Sequence, residues 1–131
     1  MMTANEKMLK ALKTAKSHLE DSMMALNKKD EDSFDKSLWD TAAELEYALF
    51  LFSITFQNES DKSNWKPNPD LKKIETGSVL VEAENLLKEA EKSIANKNLQ
   101  NAYRNAYIAR HYLLKVQEDL AKKKREVLKN K

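Results

Sequence analysis

The chain has 131 residues, enough for one domain that buries roughly two-thirds of the surface its unfolded form exposes. One Gly, two Pro and no Cys, beside 41% hydrophobic and 34% charged residues, describe an all-α protein and exclude disulfides, thiolate metal sites and thiol catalysis. The formal net charge of +2 hides an uneven distribution: residues 30–61 carry nine acids against Lys36, whereas residues 121–131 carry six bases against Glu126.

The first periodic segment covers about residues 4–28, where Met8, Leu12, Ala15, Leu19, Met23 and Leu26 recur at helical steps on an otherwise Lys-rich helix. "NKKDED" breaks the pattern, and Asp32 or Ser33 is expected to cap a second helix over about 33–57. Phe34, Leu38, Ala42, Leu45, Leu49, Phe52 and Phe56 form its inward stripe. The end of this helix is unusual, because Tyr47, Leu49, Phe50, Leu51, Phe52, Ile54 and Phe56 cannot all face one core. Either the following segment folds back over it, with Trp65 and Ile74 as the covering side chains, or the face is a subunit interface. The sequence favours the second, a homodimer or other protein contact through Phe50, Leu51, Ile54 and Trp65.

The 57–77 connection is rich in turn residues and long for a bundle loop, so it is expected to be functional or to cross the bundle. Asp70 is expected to open a short helical turn ending at Gly77. A third helix follows over about 78–95, capped by Ser78, with Val79, Ala83, Leu86, Ala90 and Ile94 inward. "NKN" turns the chain into a fourth helix over about 98–125, where Leu99, Ala102, Ala106, Ala109, Leu113, Val116 and Leu120 face inward. Shifting the second helix by 64 residues lays its stripe on that of the fourth, which suggests a degenerate repeat. The expected architecture is a single 1–131 domain, an up-down-up-down four-helix bundle of two αα-hairpins, with a tetratricopeptide-like stack as the variant.

The N-terminus lacks the apolar run of a signal peptide, and residues 47–56 are about half a bilayer span, so a cytoplasmic protein without membrane contact is expected. No Gly-rich phosphate loop is present, and neither His18 nor His111 has a Glu three residues before it, so neither a metal nor a cofactor is expected. Glu44 and Glu46, like Glu82 and Glu84, point about 200° apart on a helix and do not form an acid/base pair. Lys122, Lys123, Lys124 and Arg125 are candidate contacts to RNA or an acidic partner, or else a solvated helix end whose cations suit the C-terminal dipole.

Arg104 and His111 are seven residues apart, nearly two turns, and so share one face of the fourth helix with Tyr107 and Ile108 between them. On Arg104, Asn105 and His111 the chain resembles the HEPN family of helical-bundle domains, whose ribonuclease members carry an Arg, about four to six residues and then a His. The resemblance implies metal-independent RNA cleavage in a homodimer, with Arg104 steadying the phosphate and His111 assisting proton transfer at the 2′-hydroxyl. From the residues themselves, the leading expectation is a non-enzymatic interaction or adaptor module, and an RNA binder or HEPN-like nuclease is the alternative.

Overall fold

The computed structural model describes residues 2–56, 62, 65, 66 and 75–129. Four helices account for almost all of them: α1 (Ala4–Asn27), α2 (Glu31–Phe56), α3 (Thr76–Ala95) and α4 (Leu99–Lys129). The starts of α1, α2 and α4 are fixed by short polar side chains. The Glu6 amide donates to Thr3 Oγ1 (3.1 Å), the Ser33 amide to Asp30 Oδ1 (3.2 Å) and the Asn101 amide to Asn98 Oδ1 (3.2 Å). Asp30 therefore caps α2, in place of the expected Asp32 or Ser33. It holds both the amide and the hydroxyl of Ser33, and these bonds keep its carboxyl below the ordinary carboxylate value. In α3 the N-cap is Glu75, without a side-chain bond, and both Gly77 and Ser78 lie within its first turn. Of the expected helical turn from Asp70 to Gly77, residues 70–74, including Ile74, lie outside the described residues, and Gly77, expected to end that turn, lies in the first turn of α3.

The expected bundle of two αα-hairpins is what forms, with α1 on α2 and α3 on α4, and α1 also packed on α3 and α2 on α4. The second hairpin enters inverted, so that α1 is antiparallel to α3. Leu26 lies against Gly77, where a Cβ would sit 3.8 Å from Leu26 Cδ2, and the Lys16 ammonium meets Glu91 Oε2 at 2.7 Å. The α2/α4 pair is antiparallel as well, with Asp35 paired to Lys124, Glu46 to Arg110, and Phe52 stacked on Tyr103. Every helix thus has antiparallel neighbours, and the helix directions run up, down, down, up in place of the expected up-down-up-down order, because the second hairpin is inverted. Phe56 and Thr76 consequently lie at opposite ends of the bundle, so the chain between them spans its length, about 30 Å for a helix the size of α3. Of the two roles open to a long connection, crossing the bundle is the one the geometry requires.

The two hairpins repeat, at a spacing of 68 residues and not the 64 suggested by the apolar stripes. Their turns are the same device: Lys29 (φ 58°) and Lys97 (φ 62°) both take the left-handed conformation, followed by the capping residues Asp30 and Asn98. The same spacing lays buried Ala11, Leu12, Ala15, Leu19, Ser22 and Ala25 on buried Val79, Leu80, Ala83, Leu87, Ala90 and Ser93. In the second helices it lays Phe34, Leu38, Thr41, Leu45 and Ala48 on Ala102, Ala106, Ala109, Leu113 and Val116. A spacing of 64 brings Ala42, which is only partly buried, onto buried Ala106, because helical stripes one turn apart look alike.

At the end where α2 finishes, aromatic rings close the core. Tyr103, 2% exposed, is stacked by Phe52 (centroids 5.3 Å apart) and Phe56 (5.8 Å) and met edge-on by Trp65 (5.0 Å). Trp65 also meets Tyr107 edge-on at 5.6 Å, and the Lys62 ammonium lies 5.1 Å and 5.5 Å from the Tyr103 and Tyr107 ring centres. Trp65→Ala is therefore expected to lower stability by about 3 kcal/mol or more in urea unfolding; a loss under about 1 kcal/mol would contradict this packing.

Candidate functional site

Three regions hold the residues to which chemistry or binding could be attached. On α4, Arg104 is exposed and borders a shallow polar depression with Trp65, Asn98, Gln100 and Asn101. His111, two turns further on, is not part of that depression: its half-buried ring stands edge-on to Tyr107, with centroids 4.8 Å apart. Asn105 is partly buried beside Ala106. Among the described residues no hydrogen bond joins Arg104, Asn105 and His111, and the backbones of Arg104 and His111 are separated along the axis by about 10 Å. Burial, and then the positive charge of Arg110, lower the His111 pKa below 6.5, so the ring is neutral at pH 7 and charges reluctantly. Arg110, which the motif does not include, is ion-paired across the bundle with Glu46.

The basic C-terminal end continues α4 as a helix to Lys129 and is exposed from residue 121 onward. Lys124 is committed within the molecule. Its ammonium donates to Asp35 Oδ2 of α2, and that bond, with the Asp35 charge and then Asp32 and Glu31, raises its pKa. The acidic start of α2 and the basic end of α4 thus face each other, and Lys124, the one of the four basic candidates for which an ion pair is seen among the described residues, stays largely exposed in that pair. Lys122, Lys123 and Arg125 stay exposed.

The third region is the outer face of α2. Phe50 and Ile54 are 59% and 55% exposed, and Trp39 and Tyr47 share their face at 70% and 48%. Leu51 and Trp65, expected beside them, are turned inward: Leu51 is partly buried against the core and Trp65 is 7% exposed under the Tyr103 rings. Trp65 thus fills the covering role that was its other sequence reading. Trp39 carried a usable signal, since positions 39, 43, 47, 50 and 54 follow one another at steps of three and four residues. This line lies about 170° around the helix from buried Phe34, Leu38, Thr41, Leu45, Ala48 and Phe52.

Among the described residues no group of three or more His, Asp or Glu is placed to hold a metal ion, and no helix is long and apolar enough to cross a membrane. Because the folded His111 imidazole resists protonation, the unfolded chain binds the extra proton more readily, and stability falls as pH drops below about 6.5. His111→Asn is expected to lose less stability than the parent between pH 7 and pH 5; equal losses in thermal or urea unfolding would remove His111 as the source. Comparison with protein-family models, curated proteins and solved structures found no match.

Proposed function

We propose that this protein is a non-enzymatic helical-bundle interaction module that self-associates as a homodimer through the outer face of α2. The observation that carries the reading is the line of Trp39, Tyr47, Phe50 and Ile54, large apolar side chains left open on the side of α2 opposite its core stripe. Single exposed apolar residues are ordinary, but four large ones aligned on one helix face favour a contact surface. The α4 set offers less for chemistry: Arg104 and His111 are apart, and the imidazole is pinned against Tyr107.

A second reading, contact with RNA or another polyanion, draws on exposed Lys122, Lys123 and Arg125 at the end of α4. Such binding would weaken steeply with salt and survive loss of the apolar face.

Phe50→Asp separates the two readings. The parent is expected to sediment as a dimer at micromolar concentration and the variant as a folded monomer with unchanged helical content. A parent that stays monomeric at high micromolar concentration would overturn the interaction reading. Truncating a central aromatic of such a contact costs about 2 kcal/mol or more of association, roughly thirtyfold or more in Kd.

A further inference from the structure

The outer face of α2 also carries information on how a second copy would sit against it. We infer that two copies dock α2 against α2 in antiparallel register, around a two-fold axis that passes beside Glu46 and Tyr47. The inference rests on the self-contact reading above and adds its geometry.

Residue placement is the first support. Trp39 and Ile54 are equidistant from the midpoint between Glu46 and Tyr47, and so are Ala43 and Phe50. Antiparallel pairing about that midpoint therefore sets Trp39 against the partner's Ile54, and sets the small, exposed Ala43 against the partner's Phe50. A two-fold interface requires such self-complementarity, and a small side chain opposite a large one lets the helices approach closely.

Charge is the second support and chooses the direction. The acids of α2, namely Glu31, Asp32, Asp35, Asp40, Glu44 and Glu46, all lie in its first sixteen positions, and residues 47–56 carry no charge. Parallel pairing in register would stack acid on acid along half the helix. Antiparallel pairing places each acidic half against the partner's uncharged half and also opposes the helix dipoles.

Area and occupancy complete the case. Taking exposures of 48–70% for Trp39, Tyr47, Phe50 and Ile54 and side chains of about 150–250 Å² each, the line offers roughly 500 Å². That is more than half of the approximately 800 Å² per partner of a standard interface, leaving a polar rim to supply the rest. Within one copy the repeat provides a cover for only one hairpin: Tyr107 is the counterpart of Trp39, and Tyr107 is roofed by Trp65 and Lys62. Trp39 has no such roof and stays 70% exposed.

The absence of cysteine makes a single-label distance measurement clean. Lys36 is exposed and lies on the same face one turn before Trp39, beyond the apolar end of the line, so Lys36→Cys carries a nitroxide there without removing an apolar side chain of the line. The antiparallel register predicts an intersubunit spin–spin distance of roughly 30 Å, from the helical rise over twice the separation of residue 36 from the axis. A distance of roughly 10–20 Å in a protein that sediments as a dimer would overturn the register while leaving self-contact standing. Any longer distance, beyond about 45 Å, would place the contact on another face. A labelled protein that is monomeric and gives no intersubunit distance would overturn self-contact itself and assign the face to a different protein.

Discussion

A helix in a four-helix bundle can turn only one side to the core, and α2 carries large apolar side chains on two. Its inner side is fully used: Phe34, Leu38, Thr41, Leu45, Ala48, Leu49 and Phe52 are buried against α1 and α4, and the Thr41 hydroxyl, which has no outside partner to reach, donates to its own helix at Ser37 O (2.7 Å). The outer side has no structural duty in a single copy. Burying Trp39, Tyr47, Phe50 and Ile54 in the core would require rotating α2 and exposing an equal number of core residues, so among the described residues they stay open to solvent. Both the fold and the functional reading follow from this excess.

The inversion of the second hairpin is the other consequence of how α2 ends. Tyr103 sits where α2 finishes and α4 begins, and the rings of Phe52, Phe56 and Trp65 enclose it from separate parts of the chain. That cluster anchors Trp65 over α4, and α3 starts at the far end of the bundle beside Leu26. The result is an approximate two-fold relation between hairpins, visible in the matching turns at Lys29 and Lys97. The relation fails at one place: Trp65 and Lys62 cover α4 at Tyr107, whereas the equivalent residue of α2, Trp39, stays 70% exposed. Opposite charges reinforce the arrangement on the other flank, where Asp35 and Glu46 of α2 meet Lys124 and Arg110 of α4. Both pairs are partly or largely exposed, so they orient the helices more than they stabilise them.

Much of this was legible in the sequence. Helix number, order and inward stripes follow from periodicity, because spacing such as that of Leu12, Ala15 and Leu19 marks one face of a packed helix in a chain with one Gly and two Pro. The oversupply of apolar residues at the end of α2 was also readable. Hairpin direction was not, since an amphipathic helix has the same stripe whichever way it runs and the 57–77 segment is long enough for either path. Trp65 was assigned to both a cover and an interface, and only packing against Tyr103 and Tyr107 separates these roles. Lys124 read as a free cation because its partner, Asp35, lies 89 residues away. Arg104 and His111 share a face as the spacing requires, but their surroundings were not legible: Arg104 borders a depression beside Trp65 and His111 stands edge-on to Tyr107.

The two tryptophans provide the most direct test of the claim that α2 serves a core with one face and a second copy with the other. Trp65 is 7% exposed and Trp39 is 70% exposed in the single chain. With fluorinated tryptophan incorporated and the Trp39 resonance assigned by its loss in Trp39→Phe, fluorine NMR over a dilution series reads both environments at once. The account predicts that the Trp39 resonance shifts with concentration and loses its sensitivity to solvent isotope as the dimer forms, while the Trp65 resonance stays fixed. A Trp39 resonance that remains solvent-exposed and unmoved from micromolar to millimolar protein would contradict it.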